Sequence, residues 1–161
     1  MPEITYISTN LRRFTFQSPR IKSWVESRCC GKVLNLFAGN TKLNLDEFRI
    51  DMDITALADK NVDAYEYVKN CDIKYDTALL DPPYSYRKSM EMYNGNYSSK
   101  FKLIADELVR ISNRVISFGY HSSFMGNVRE YNLEELCVFG HGGAQHCTIA
   151  IIEVKRNIAN A

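Results

Sequence analysis

The 161-residue sequence lacks the features of several protein classes. Its longest apolar run, 147–154, is interrupted by Thr148 and Glu153 and is far shorter than the about 20 residues of a membrane span. The first ten residues contain no apolar stretch of the about 7 to 15 residues that a secretory signal needs. Repeats, low-complexity tracts and Pro/Gly-rich linkers are also absent from the sequence. We therefore expect a cytoplasmic protein that has no membrane segment and forms a single domain, 1–161.

The cysteines form neither a disulfide framework nor a zinc ribbon. Their number, five, is odd, and Cys29 and Cys30 are adjacent rather than two residues apart. His141, His146 and Cys147 could supply three metal ligands, but a closed zinc site needs four at regular spacing. The two glycines between the histidines are more typical of a turn. The sequence therefore predicts free thiols and no metal centre.

Charge is small in total but unevenly distributed. The composition, 45% hydrophobic and 24% charged, is typical of a globular domain, and the net charge is +1. Residues 1–32 contain six basic and two acidic side chains, 46–81 contain four basic and ten acidic, and 82–129 contain seven basic and three acidic. Basic segments thus flank an acidic one. This pattern fits a solvated surface as well as a groove for a polyanion, and charge alone does not separate the two.

Hydrophobic periodicity predicts alternating strands and helices. Helices are predicted at 19–29, 63–70 and 101–111, where apolar side chains recur on one face. Strands are predicted at 32–37, 48–52, 77–80, 115–118, 137–139 and 148–154. The residues before the first helix are expected to be irregular. This order indicates an α/β fold with a mostly parallel sheet covered on both faces, to which the last two strands, joined like a hairpin, would add an antiparallel edge strand.

The tetrapeptide Asp81-Pro82-Pro83-Tyr84 directly follows the strand predicted at 77–80. Open parallel sheets bind ligands at the carboxyl ends of their strands, so this position favours a function over an ordinary turn. The prolines fix the backbone and withhold two N–H donors, which leaves carbonyl oxygens and the Asp81 carboxylate as rigid acceptors. These acceptors suit the N–H groups of an exocyclic amine, while Tyr84 stacks on the ring that carries it.

Two other segments follow predicted strands in the same way. The segment 33–40 contains the small pair Ala38-Gly39, which allows a ligand to approach the backbone closely. The next strand ends at Asp51 and Asp53, and either carboxylate could accept the hydroxyl groups of a ribose. Asp63 opens a predicted helix, and there a capping role is as plausible as a ligand contact.

Together these segments resemble the class I S-adenosylmethionine-dependent methyltransferases. The Asp-Pro-Pro-Tyr tetrapeptide resembles that of the amino-methyltransferases that modify adenine in nucleic acid. The resemblance covers about 15–155 and implies a Rossmann-like fold with S-adenosylmethionine as the cofactor. It implies cofactor contacts at Asn35, Phe37, Ala38, Gly39, Asn40, Asp51, Asp53, Ile54, Asp63 and Ala64.

Within that set the resemblance implies particular roles. The loop after the strand at 32–37 would contact the methionine part of the cofactor, and Asp51 or Asp53 its ribose. Ile54 would lie against the adenine ring of the cofactor, with Asp63 near the amine of that ring. The catalytic residues would be Asp81, Pro82, Pro83 and Tyr84, which would receive the target base.

The chain departs from the family pattern in two respects. Thr41 replaces the second glycine of the usual F-x-G-x-G pattern, and only about eleven residues separate Gly39 from Asp51. The first crossover helix is therefore expected to be shortened or missing. The methionine carboxylate would then need other partners, such as Gln17, Ser18 or Lys42, because a helix N-terminus normally supplies N–H groups there.

The second departure is that no target-recognition domain follows the motifs in this sequence. We therefore expect sequence recognition to be minimal, or to be supplied by a partner. That partner could be a recognition subunit or a second copy of the chain.

The predicted function is methyl transfer to the exocyclic amine of adenine in DNA. This amine is a poor nucleophile because its lone pair is delocalised into the ring. Asp81 and the Pro82 carbonyl would accept its two N–H bonds and favour a tetrahedral nitrogen aimed at the methyl group. The base must be flipped out or presented in a single strand. The polar segment 85–102 could close over the base or bind phosphates, or be a loop without a function.

Several alternatives stay open. Related motifs serve the methylation of an adenine or guanine amine in RNA and of glutamine in proteins, although the glutamine enzymes usually have Asn rather than Asp at the first position. A non-catalytic nucleic-acid-binding subunit is supported by the short loop and opposed by the intact tetrapeptide. A hydrolase is disfavoured because His121, His141 and His146 have no serine motif of the nucleophile-elbow type nearby.

Overall fold

The computed structural model describes residues 1–82, 97–119 and 121–157. Within these ranges, seven strands form one sheet: β1 Glu3–Ser8, β2 Val33–Leu36, β3 Glu47–Ile50, β4 Thr77–Leu80, β5 Arg114–Gly119, β6 Tyr131–Gly140 and β7 Thr148–Lys155. The helices are α1 Pro19–Arg28, α2 Ala64–Lys69 and α3 Tyr97–Leu108, and short 3₁₀ turns occupy Thr15–Gln17 and Asn127–Arg129. In this part of the chain, no helix has both the length and the apolar character needed to cross a membrane.

The strand order, β1-β6-β7-β5-β4-β2-β3, creates a crevice in the middle of the sheet. From β2 the chain moves outward to β3 and then returns to the other side of β2 as β4. Open α/β sheets bind ligands outside the carboxyl ends of the strands where the order reverses in this way. Leu36 and Leu80 are register partners at the ends of β2 and β4, so Phe37 and Asp81 begin the two loops that border this crevice.

The predicted α/β class and mostly parallel sheet are confirmed. All strand pairs are parallel except those of β7, which is antiparallel to both β5 and β6. No helix forms between β2 and β3, so the first crossover helix is missing, as its short connection predicts. The polypeptide must therefore shape the loop after β2 without the helix that would normally follow it.

The prediction of an irregular N-terminus is wrong, because β1 pairs in parallel with β6 and forms the edge of the sheet. Its side-chain pattern is the reason why periodicity did not reveal it. The apolar side chains of Ile4 and Tyr6 are exposed, whereas the polar Thr5 lies on the half-buried face. Ile7 is the one apolar side chain on the half-buried face of β1, so the alternation of apolar inner and polar outer residues that sequence analysis relies on is missing.

Strand β6 begins six residues before its predicted start. Within the added part lies Glu135, which is buried yet accepts hydrogen bonds from Thr5 Oγ1 at 3.1 Å, Trp24 Nε1 at 3.2 Å and Arg28 Nε at 2.9 Å. A buried carboxylate is tolerated when its charge is paired and its lone pairs are occupied. The acid therefore stabilises the contact of β6 with α1 and β1, although in the sequence it interrupts the apolar run.

Two apolar cores cover the faces of the sheet. On one face, α2 and α3 pack against the sheet through residues that include Leu36, Val68, Leu80, Ile104 and Leu108. On the other face, α1 packs through Ile21, Trp24 and Val25. Ser18 caps α1 by accepting the Ile21 N–H, and Pro19 follows in the first turn, as the sequence predicts.

Candidate functional site

A buried arginine shapes the loop after β2. Arg49 of β3 is 2% exposed, and its guanidinium donates five hydrogen bonds of 2.6–3.0 Å. The acceptors are the Glu47 carboxylate and the carbonyl oxygens of Ala38, Gly39, Thr41 and Leu57. Because a guanidinium is planar with its donors in a fixed fork, these bonds define the path of the loop. Arg49 thus provides the support that the missing helix would have given.

Glu47 compensates the buried charge of Arg49. The side chains are 4% and 2% exposed, respectively, and their closest atoms are 2.6 Å apart. Glu47 also accepts the Leu43 N–H at 3.1 Å and the Asn35 amide at 3.0 Å. Asn35, predicted to contact a cofactor, therefore lies in the network that supports the loop, and its Oδ1 has no partner among the described residues.

Sequence analysis missed Glu47 and Arg49 as site residues. A signal was nevertheless present, because two opposite charges stand two residues apart in a short strand and therefore on the same face. Charged residues inside a strand of a covered sheet must be paired to be tolerated there. Their position next to a connection too short for a helix points to the loop as the structure that they support.

Asp51 ties the end of β3 to this loop. Its Oδ2 accepts the Gly39 N–H at 2.8 Å, and its Oδ1 accepts the Asp53 N–H at 2.9 Å. Gly39 has φ +62°, in the left-handed region, and a Cβ built on it meets no atom within 4 Å. The backbone is therefore open to close approach by a ligand at this point. Each carboxylate oxygen of Asp51 keeps a second lone pair for a hydroxyl donor.

The structure distinguishes Asp51 from Asp53, the two carboxylates that the sequence left as alternatives for binding a ribose. Asp53 is fully exposed, and its Oδ1 accepts the backbone N–H of Thr55 at 2.9 Å and the Thr55 hydroxyl at 2.7 Å. These hydrogen bonds lower the pKa of Asp53. Asp51 is half-buried and bonded to the loop after β2, whereas Asp53 organises the turn that follows it.

The turn after Asp53 presents an apolar side chain. Ile54 is 84% exposed, which is unusual for a large aliphatic residue and leaves it available to a planar group. Asn40 connects this turn to the loop after β2, since its Oδ1 accepts the Leu57 N–H at 3.1 Å. The predicted residues from Phe37 to Ile54 thus belong to one connected group of loops.

Asp63 has the capping role that the sequence left open. Its Oδ1 accepts the Glu66 N–H at 3.2 Å at the start of α2, and its Oδ2 is 3.5 Å from Lys100 Nζ of α3. Ala64 is 4% exposed and belongs to the core. A contact of Asp63 or Ala64 with a cofactor stays a prediction.

Asp81 is held by a segment distant in sequence. Its Oδ1 accepts the Thr15 hydroxyl at 3.0 Å, which connects the end of β4 to the 3₁₀ turn before α1. Pro82 is buried beside a cavity of about 70 Å³ lined by Phe101, Ser117 and other mainly apolar residues. Pro83, Tyr84 and the segment 85–96 lie outside the described residues.

His141, one of the three possible metal ligands, makes two other contacts. Nδ1 of His141 lies 3.1 Å from the Thr9 carbonyl oxygen, and Nε2 lies 2.8 Å from Thr148 Oγ1. Over the described ranges, no group of three or more His, Cys, Asp or Glu side chains is arranged to hold a metal ion. The cysteines are all free thiols.

Comparison with known proteins relates the fold to methyltransferases. No family model matches the chain, and no curated protein matches its sequence. The structure resembles TrmN from Thermus thermophilus with a TM-score of 0.63 and 12% identity over 86% of this chain and 49% of that one. The chain therefore spans about half the length of TrmN.

Two structures that are methyltransferases by description are also similar. N-methyltransferase NodS from Bradyrhizobium japonicum WM9 has a TM-score of 0.57 and 9% identity, over 86% of this chain and 97% of NodS. Magnesium protoporphyrin IX methyltransferase (ChlM) from Synechocystis PCC 6803, solved with bound SAM, has a TM-score of 0.54 and 9% identity, over 86% and 77%. At these identities the likeness concerns the fold, and it confirms the predicted Rossmann-like methyltransferase fold.

Proposed function

We propose that this chain is an S-adenosylmethionine-dependent methyltransferase that acts on the exocyclic amine of adenine in DNA. The observation that carries the proposal is the position of Asp81 and Pro82 at the carboxyl end of β4. They border the same crevice as Gly39 and Asp51, which reach it from β2 and β3. The hydrogen-bond acceptors proposed for the target amine therefore border the same crevice as the loop at Gly39, where a ligand can approach the backbone.

The residues of the crevice fit S-adenosylmethionine, which would supply a methyl group on a positively charged sulfur. The open space above Gly39 admits a ligand close to the backbone. Asp51 has free lone pairs for the two ribose hydroxyls, and its half-buried position favours it over Asp53 for this role. Ile54 offers an exposed apolar surface for the adenine ring.

Asp81 and Pro82 would orient the target amine. The hydrogen bond from Thr15 to Oδ1 of Asp81 restricts rotation of the carboxylate at the end of β4, and in this position the carboxylate would accept an N–H of the base. The Pro82 carbonyl would accept the second N–H. The sulfonium of S-adenosylmethionine would supply the methyl group to this nitrogen and would leave as a neutral thioether, and Asp81 would take the proton that the methylated nitrogen releases. Positioning of the reacting atoms supplies the main acceleration.

The support given to the loop also bears on the non-catalytic alternative. That alternative depends on the loop after β2 being too short to hold a cofactor. Arg49 donates three hydrogen bonds to this loop, one to Glu47 and one to the Leu57 carbonyl in the segment after β3. The network holds the loop in place without a helix, so the shortness of the loop does not count against cofactor binding.

The proposal is tested by calorimetric titration of the purified chain with S-adenosylmethionine, followed by labelled methyl transfer onto adenine-containing DNA. Single-stranded DNA, duplex DNA, RNA and a glutamine-containing peptide are compared as acceptors. We expect binding, and transfer to DNA. Binding with transfer to RNA or to the peptide alone would refute the DNA assignment, whereas no binding would refute the enzyme.

Two variants test the assigned roles. Asp81→Ala should abolish transfer and leave cofactor affinity within about twofold, because Asp81 faces the acceptor. Asp51→Ala should lower cofactor affinity about tenfold or more, as for loss of hydrogen bonds to a charged group. Asp53→Ala is the matched control and should retain affinity. Equal losses for Asp51→Ala and Asp53→Ala would contradict the ribose assignment.

The partners proposed for this function are nucleic acid and, for target recognition, a recognition subunit or a second copy of the chain. The acceptor comparison tests the first. The mass of the complex formed with a DNA duplex in solution would show whether one or two copies bind.

A further inference from the structure

A second concave surface lies beside Asp81. It is a groove of about 350 Å³ between the segment that precedes α1 and the hairpin that joins β6 to β7. We call it the N-terminal groove; Arg12, Arg13 and Phe14 line one wall, His141 and His146 the other, and Thr15 lies between the groove and Asp81. Its volume is within the range of pockets that hold a small ligand, about 300–1,000 Å³.

Hydrogen bonds join the two walls of the N-terminal groove. The Thr9 N–H donates to the Gly140 carbonyl at 2.9 Å, and His141 lies between the Thr9 carbonyl and Thr148, with contacts of 3.1 and 2.8 Å. The hydroxyls of Thr9 and Ser18, the cap of α1, are 2.6 Å apart. The segment is thus tied both to the hairpin and to α1, and the groove is part of the folded structure.

The N-terminal groove is lined by positively charged side chains. Arg12 and Arg13 are exposed, and neither has an ion-pair partner among the described residues. No carboxylate is found among the described residues that line it. Such a surface attracts an anion, and arginine is particularly suited to phosphate because its donors form a planar fork.

An exposed aromatic ring accompanies these charges. Phe14 is 44% exposed, and the Arg13 guanidinium lies 5.3 Å from the centre of its ring. Surfaces that bind single-stranded nucleic acid combine cationic side chains, which follow the backbone, with aromatic rings on which bases stack. Arg12, Arg13 and Phe14 are consecutive and supply both elements within one segment.

We propose that the N-terminal groove binds a single nucleic-acid strand next to the base that occupies the site at Asp81. Arg12 and Arg13 contact its phosphates, and Phe14 stacks on a neighbouring base. The link is Thr15, which lines the groove and donates to Asp81 Oδ1 at 3.0 Å. A strand whose target base lies at Asp81 can therefore continue directly into the groove. This inference rests on the proposed function and specifies where the strand lies.

The test measures binding of a fluorescent 12-residue single-stranded oligodeoxyadenylate to the full chain, by anisotropy at several salt concentrations. The double variant Arg12→Ala/Arg13→Ala should bind more weakly and should reduce the slope of log affinity against log salt by about 1.4, about 0.7 for each phosphate contact with a single strand. Phe14→Ala should weaken binding about fivefold or more, as expected for loss of one stacked base.

The matched control is Lys69→Ala/Lys74→Ala. It removes the same charge from exposed side chains near the amino end of β4, whereas the groove lies at the carboxyl end of β6. It should bind the oligonucleotide with nearly the slope of the unaltered chain. Equal slopes for the two double variants would overturn the proposal. An unchanged affinity for Phe14→Ala would also overturn it, because the groove would then attract any polyanion.

Calorimetry with S-adenosylmethionine distinguishes this failure from that of the proposed function. The groove variants should bind the cofactor as the unaltered chain does, since their side chains lie outside the loops around Gly39 and Asp51. Failure of the unaltered chain to bind the cofactor would refute the enzyme. Normal cofactor binding together with oligonucleotide binding that does not depend on Arg12, Arg13 and Phe14 would refute the groove alone.

Discussion

Replacing Arg49 with alanine removes five hydrogen bonds and leaves the Glu47 carboxylate buried beside an empty space. Breaking a buried ion pair by removing one partner costs about 3–5 kcal/mol, because the remaining charge is uncompensated. The whole stability of such a domain is about 5–15 kcal/mol. We therefore expect Arg49→Ala to lower the melting temperature by about 6–20 °C, at about 2–4 °C per kcal/mol for a chain of this size.

Further variants separate the charge of Arg49 from its geometry. Arg49→Lys keeps a positive charge near Glu47, but it has three donors on one atom and cannot reach the same set of carbonyl groups. It should recover part of the stability and still bind S-adenosylmethionine more weakly. Glu47→Gln/Arg49→Met removes both charges, so it should be more stable than Arg49→Ala.

Urea unfolding followed by circular dichroism measures these free energies, and calorimetry measures cofactor affinity. The reasoning would be refuted if Arg49→Ala unfolded within about 1 kcal/mol of the unaltered chain, since buried charges cost more than that when unpaired. Equal stability of Arg49→Ala and Glu47→Gln/Arg49→Met would refute the account of Glu47 as a buried ion.

Two further predictions concern the glycine of the loop and the acid of β6. Gly39→Ala should cost about 1–2 kcal/mol of stability because φ is +62°, and it should also weaken cofactor binding. Gly142→Ala, at φ +76° and with equally open space around it, should affect stability alone. Calorimetry and urea unfolding of both variants check this, and equal cofactor affinities of the two variants would contradict it. Burial acts to raise the pKa of Glu135, but hydrogen bonds from Arg28, Trp24 and Thr5 outweigh it and hold the pKa below its ordinary value of 4.5. The carboxylate therefore contributes stability at neutral pH that is lost as the pH falls below about 4.5. The difference in melting temperature between the unaltered chain and Glu135→Gln should shrink over this acidic range, and a difference independent of pH would show that the charge of Glu135 is not responsible.

Several parts of the fold and the site could be predicted because their signals are local. The start of α1 follows from two adjacent residues, the capping Ser18 and Pro19 in the first turn. Strand β4 ends at Leu80, directly before Asp81 and Pro82. The short connection between β2 and β3 excluded a full crossover helix by length alone, and left a shortened or missing helix as the prediction. Apolar periodicity then indicated an α/β sheet, because each strand and helix must bury a face of its own.

Other features depend on residues that are far apart in the chain. The bond from Thr15 to Asp81 spans 66 positions, and that from Thr5 to Glu135 spans 130. No local pattern reveals such pairs, and so β1 was not predicted and β6 was predicted to begin only after Glu135. Asp51 and Asp53 are also distinguished only in the tertiary structure, because only Asp51 forms a hydrogen bond with the loop after β2.

The sequence by itself determined the order of the elements from α1 onward, the lack of room for a full crossover helix and the position of Asp81 and Pro82 directly after β4. Tertiary structure decided which charges could be buried, because burial of Arg49 is favourable only where Glu47 and four carbonyl oxygens surround it. It also placed Arg12, Arg13 and Phe14 beside Asp81. Secondary structure follows from neighbours in the chain, whereas a site is assembled from neighbours in space.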